Sequence, residues 1–239
     1  FYDLASFLNG RCTLKRPELE LVGPPQGKRI LHLQCHFGLD SISWARRGGI
    51  VTGVDFSEVA TATASSLASR LGVSARFVCE DVHLLRQLID FDIAIATYGA
   101  ICWIGALEAW AQAVYRSLVF GGHFVLVDFH PFLEVIYPGK MTGSSSYFGG
   151  GVANRTNTRG TYANRSAPIE YCEVRWQHPL SAIIDSLIKA GFELTVFKEY
   201  PYSSFPLFED LRESTDGMWH PDPARRWTIP YMFALVCRK

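Results

Sequence analysis

Between residues 29 and 129 short apolar, β-branched runs alternate with stretches of helical periodicity, several of them closed by glycine, without an internal sequence repeat. Arg29 to Cys35 is expected to be the first strand, with a helix from Leu39 to Arg47 that stops at Gly48-Gly49. Ile50 to Asp55 is the second strand, and Ser57 is a natural N-cap for a helix through Leu71. Ala75 to Cys79 and Phe91 to Thr97 follow as strands. A helix over Leu107 to Leu118 then ends before Gly121-Gly122, and His123 to Phe129 is the fifth strand. Strands and helices alternating at this spacing imply right-handed βαβ units, hence a doubly wound, mostly parallel α/β sheet.

From 138 to 179 the composition shifts to Gly, Ser, Asn, Thr and Arg, with one strand-like run at Ile169 to Trp176. This segment is expected to be an inserted flap on the substrate side of a single domain spanning residues 1–239. Ser181 to Ala190 again has one apolar helical face. Phe192 to Tyr200 and Ile229 to Cys237 read as final strands, placing an antiparallel strand at one edge of the sheet.

The 239 residues carry equal numbers of basic and acidic side chains, 23 each. With no basic excess to meet phosphates, a nucleic-acid partner is not expected. No apolar run is long enough to span a bilayer, so no membrane partner is expected either. The six cysteines stand singly, as buried free thiols do in a reducing compartment, and no secretory signal precedes them. A soluble, cytoplasmic protein is therefore expected. The chain opens on Phe1 rather than Met, as if an earlier segment had been trimmed. No feature bears on oligomeric state.

The run Leu31 to Ser41 carries the chemistry, together with Gly53-Val54-Asp55-Phe56-Ser57, whose Asp55 falls seventeen residues after Gly38. A strand ends there in a tight loop that opens a helix, and an acid closes the next strand, where a carboxylate can accept the hydroxyls of a ribose. In this the chain resembles the class I S-adenosylmethionine (SAM)-dependent methyltransferases, of the small-molecule type, which implies a Rossmann-like sheet. The likeness continues through Cys79-Glu80-Asp81-Val82, Phe91-Asp92-Ile93 and Phe120-Gly121-Gly122, in the right order over residues 29 to 129. It implies a cofactor site holding SAM, with S-adenosylhomocysteine (SAH) as its product. Gln34, Cys35, His36 and Gly38 would form its loop, Asp55, Phe56 and Ser57 would meet the ribose, and Asp81 and Val82 the adenine. The family's acid-x-Gly-x-Gly-x-Gly stands here as His32-x-Gln34-x-His36-x-Gly38, so only the last glycine survives. The missing glycines weigh against a dinucleotide, whose pyrophosphate needs the closer backbone approach. His32, Cys35 and His36 lack the ligand pairs of a zinc site, so no metal is expected.

Ligands bind beyond the carboxyl ends of such strands, which puts Tyr98 and Trp103 after strand four and Asp128 and His130 after strand five. Tyr98 would serve cofactor and substrate alike. His130 is the expected general base with Asp128 to orient it. A capping role for His130 before Pro131 is the plain alternative. Trp103, Tyr147, Trp176 and His178 are expected to meet the methyl acceptor, although Tyr98 and Trp103 also read as core aromatics. Arg11 could fold over the cofactor carboxylate or lie on the surface. The favoured reading is an N- or O-methyltransferase for a flat or apolar small molecule such as an indole, a phenol or a secondary metabolite. A non-catalytic SAM-binding regulator and a dinucleotide-dependent oxidoreductase are the alternatives.

Overall fold

The computed structural model describes residues 3–136, 146–160, 167–224 and 228–239. In chain order the first elements are α1 (Leu4–Leu8), α2 (Arg16–Val22), β1 (Arg29–Leu33), α3 (Leu39–Arg46), β2 (Ile50–Asp55), α4 (Glu58–Arg70) and β3 (Ala75–Cys79). Then come β4 (Phe91–Thr97), a 3-10 turn (Ile101–Trp103), α5 (Leu107–Ser117), β5 (Leu118–Phe129) and α6 (Leu133–Ile136). The last are β6 (Ala153–Arg159), β7 (Glu170–Trp176), α7 (Leu180–Ala190), β8 (Glu193–Tyr200), β9 (Leu211–Glu213), β10 (Trp219–Pro221) and β11 (Met232–Arg238).

Seven strands form the main sheet in the order β3-β2-β1-β4-β5-β11-β8, and β11 alone runs antiparallel to both its neighbours. Both faces are covered, so the central strands are apolar throughout instead of alternating. On one face Leu31, Leu33, Ala94, Ala96, Phe124 and Leu126 pack with Trp110 and Val114 of α5 and Ile183 and Leu187 of α7. On the other, Ile30, Ile93, Ile95, Val125 and Val127 pack with Val22 of α2 and Trp44 of α3. The expected doubly wound sheet is what forms, and its order reverses between β1 and β4, where such sheets open a crevice.

Three expectations are corrected. The antiparallel strand lies inside the sheet rather than at its edge. The physical reason is burial: Met232–Arg238 is apolar over almost its whole length, whereas Glu193–Tyr200 exposes charged residues and suits an edge. β5 begins at Leu118 rather than His123, because the chain end pairs across the two glycines: Gly121 N–H donates to Lys239 O and Lys239 N–H to Gly122 O, each at 2.9 Å. Before the sheet, α1 and α2 form where no helix was expected. In α2 a proline stands in the first turn and the Glu18 carboxylate accepts the Lys15 N–H at 2.7 Å, a start signal present in the sequence.

Within the flap, β7 pairs antiparallel with β6, a strand with no apolar pattern to announce it. Residue 137 and the flap's residues 138–145 and 161–166 lie outside the described residues. Trp176 closes the hairpin onto the body at Gly105, where a Cβ would lie 2.9 Å from the indole ring. Among the described residues no helix is long and apolar enough to cross a membrane.

Candidate functional site

The β1 loop keeps a backbone that its sequence does not advertise. Gln34, His36 and Gly38 all have positive φ, at 51°, 51° and 81°. Only glycine adopts such angles without strain, and each of the other two costs about 1 kcal/mol or more. The glycine-loop conformation is thus retained at both positions that have lost glycine. At Gly38 the residue has no substitute: a Cβ would lie 2.6 Å from Phe77 Cε1 and 2.8 Å from Ala64 Cβ. Gly38→Ala is expected to lower stability by about 2–4 kcal/mol, from left-handed strain and overpacking together, as read by urea denaturation.

Asp55 holds this loop from the next strand. It is 7% exposed, and its two oxygens accept the His36 and Ser57 N–H groups, each at 2.9 Å. Ser57 caps α4 by accepting the Ala60 N–H at 3.2 Å. Beside them Phe56 lies open at 76% exposure, Cys35 and Val82 are buried, and Asp81 is held by the His83 ring at 2.6 Å. Gln34 donates to Ala100 O at 2.8 Å and so ties β1 to the turn after β4, while among the described residues its own buried Oε1 meets no donor. A ligand bearing an ammonium fits that end of the crevice, because it brings the donor that Gln34 Oε1 lacks. His32 is accounted for by Ser41, whose hydroxyl stands 2.7 Å from Nδ1. Among the described residues no group of three His, Cys, Asp or Glu side chains is placed to hold a metal.

Beyond β4 and β5, under the flap, lies a cavity of about 530 Å³. Its walls combine Phe129, Phe208 and Trp176 with Cys102, His130, Glu134, Arg175 and His178. Asp128 also faces it, but its carboxylate is committed to backbone. It accepts the Ile101 N–H at 2.9 Å, the Phe129 N–H at 2.7 Å and the Gly99 N–H as well. Asp128 therefore fixes the turn after β4, and the expected bond from Asp128 to His130 does not form.

The partner of His130 is Glu199 of β8. Their Nε2 and Oε1 stand 3.0 Å apart, off the line of the N–H bond, an ionic contact rather than an aligned hydrogen bond. His130 Nδ1 accepts the Phe132 N–H at 3.1 Å, the capping role weighed above. Burial holds its pKa below the ordinary value, against the pull of Glu199.

Other expected residues are spread more widely. Tyr98 turns away from the cavity to pack on Phe205 at 5.2 Å, its hydroxyl buried on the α2 side near Glu18. Trp103 is 42% exposed, with the Arg175 guanidinium 5.9 Å from its ring. Tyr147 does not line the cavity; its hydroxyl accepts the Leu180 N–H at 3.3 Å and so braces the start of α7. Arg11 is an exposed residue pairing with Asp3 at 3.4 Å. Trp176 and His178 do line the cavity. Sequence reasoning missed Glu18, Glu199 and the Arg175–Glu134 pair, which meet at 2.9 Å. Only Glu18 had a local signal, the proline-led helix start; burial first and the nearby Asp40 second push its carboxyl well above the usual range.

Residues 30–122 match the family profile described as "Methyltransferase domain". Over 69 residues the chain is 37% identical to a ubiquinone biosynthesis O-methyltransferase of Coxiella burnetii, a match covering 28% of this chain and 30% of that protein. Solved structures resemble it over nearly its whole length. An SAM-dependent methyltransferase of Methanosarcina mazei aligns with TM-score 0.61 at 17% identity, covering 95% of this chain and 99% of the other. One from Mesorhizobium loti aligns with TM-score 0.59 at 17% identity, covering 97% and 100%. The magnesium protoporphyrin IX methyltransferase of Synechocystis, solved with bound SAH, aligns with TM-score 0.56 at 16% identity, covering 93% and 78%. Residues 30–122 are thus similar to a methyltransferase domain, and the chain shares the fold of those SAM-dependent methyltransferase structures.

Proposed function

We propose that the chain uses SAM to methylate a hydroxyl of a small, flat acceptor seated in the cavity under the flap, with residues 138–179 serving as its lid. The observation that carries this reading is the β1 loop. It holds the glycine-type backbone at three positions, tied by Asp55, and lies at the switch point beside an apolar-walled cavity. When bound, SAM supplies a methyl carbon on a sulfonium, open to in-line displacement. The chain's task is then to position and to exclude water. Asp55 is placed to receive the ribose, Asp128 sets the turn that separates the two ligands, and Trp176 holds the hairpin over the acceptor.

Hydroxyl methylation is favoured over nitrogen by the activity named for the Coxiella relative, and by the cavity's aromatic walls, which suit a phenol. A formal net charge of zero supports a small molecule over a nucleic acid. The singly spaced cysteines fit a reducing, cytoplasmic compartment, although only Cys35 and Cys237 are buried as expected and Cys12, Cys79 and Cys172 are exposed.

Calorimetric titration with SAM, SAH and NAD tests the reading. Micromolar binding of both adenosyl ligands without an NAD response is expected. NAD binding without SAM binding would move the chain to the oxidoreductases. Adenosyl binding without methylation of any phenol would leave a regulator.

A further inference from the structure

His178, in the short link between β7 and α7, differs from every other titratable group around the cavity. Its Nε2 stands 2.6 Å from the carbonyl oxygen of Ile104. A carbonyl can only accept, so Nε2 carries the hydrogen and, in the neutral ring, Nδ1 holds the lone pair. Among the described residues Nδ1 makes no hydrogen bond, and His178 lines the cavity. Burial keeps the ring's pKa below the ordinary histidine value, against the pull of the Ile104 carbonyl, a shift that favours the neutral ring.

The groups facing the same cavity are already engaged. Cys102, after β4, donates its S–H to Gly99 O at 3.2 Å, and burial pushes its thiol up to about 11. Asp128 serves three backbone N–H groups. His130 gives its Nδ1 lone pair to the Phe132 N–H. On α6, Glu134 binds Arg175 at 2.9 Å. On β7, Glu173 accepts the Thr158 and Tyr171 hydroxyls, each at 3.3 Å.

We propose that His178, not His130, is the general base, and that its Nδ1 takes the proton of a phenolic hydroxyl as the methyl is transferred. This rests on the methyltransferase reading and deepens it. The acceptor O–H proton passes to Nδ1 while an oxygen lone pair forms the new O–C bond. The C–S bond breaks with its electron pair left on sulfur, so SAM leaves as neutral SAH. The imidazolium keeps its Nε2–H on the Ile104 carbonyl, which stabilises the charge, and later returns the Nδ1 proton to water. A phenol of pKa near 10 is ionised to about one part in a thousand at pH 7, so a base in contact has a large advantage to supply.

The test uses the full chain with SAM and three probes: phenol, catechol and 3,4-dihydroxybenzoate. His178→Gln is expected to lower kcat on the methylated probe by about 10²–10³-fold. It should also abolish the acid limb of kcat/KM against pH, while SAH affinity stays within about twofold of the starting chain. Nitrogen-15 spectra of histidine-labelled protein should show His178 protonated at Nε2. The proposal is overturned by an Nδ1-protonated ring, by an acid limb that survives in His178→Gln, or by a starting chain that binds SAH yet methylates none of the three. The SAH titration keeps the two readings apart. Failure of the starting chain to bind SAH removes the methyltransferase assignment itself, whereas binding and turnover that survive in His178→Gln remove only the base.

Discussion

Asp128→Ala is expected to lower the free energy of unfolding by about 3–6 kcal/mol, a large share of the stability of an ordinary domain. The carboxylate is 3% exposed and accepts backbone N–H groups from Gly99, Ile101 and Phe129. Alanine leaves these donors buried without an acceptor, at about 1–2 kcal/mol each. Gly99 sits at φ +94°, and the other ties of its turn, Gln34 to Ala100 O and Cys102 to Gly99 O, satisfy carbonyls and leave these N–H groups to Asp128. Asp128→Asn keeps an acceptor oxygen and should lose about half as much. Urea denaturation of the two variants beside the starting chain gives the comparison. A loss under about 1 kcal/mol for alanine would show that the turn holds its shape without Asp128 and would reopen a direct chemical role for this residue.

Asp55→Ala is expected to weaken SAH binding by at least about 100-fold, or roughly 2.7 kcal/mol. Two effects add. The carboxylate that would receive the ribose hydroxyls is removed, and charge-assisted bonds of that kind contribute about 1.5–3 kcal/mol. The loop loses the tie at His36 N–H, 2.9 Å from Asp55 Oδ2, that holds a non-glycine residue at φ 51°. Calorimetry on Asp55→Ala and Asp55→Asn checks this, with denaturation run in parallel to confirm that both remain folded. Unchanged SAH affinity in folded Asp55→Ala would remove the cofactor site from the end of β2.

Much of the sheet was legible because its information is local. Val51, Val54, Ile93 and Ile95 are apolar runs bounded by turn residues, and the strands containing them form where expected. The α2 start was readable as well, from Arg16-Pro17-Glu18, although hydropathy alone passes over it. The site was legible where it follows the chain: Asp55 and the β1 loop are neighbours through one βα unit. His130 follows β5 and lines the cavity, but Glu199, 3.0 Å from its ring, comes from a strand far along the sequence and left no local mark. His178 reads as one polar residue before a proline. Its tautomer is set by Ile104, which nothing near it in sequence identifies.

By itself the sequence determined the winding: alternating strands and helices with both sheet faces buried, and an acid at the end of β2. Those follow from period, burial and chirality, which act within one βαβ unit. Only the tertiary structure decided that β11 fills the interior of the sheet and β8 its edge, since that depends on which of two strands better tolerates water. It also decided which histidine keeps a lone pair for chemistry, because a hydrogen bond to a distant carbonyl fixes where an imidazole carries its proton.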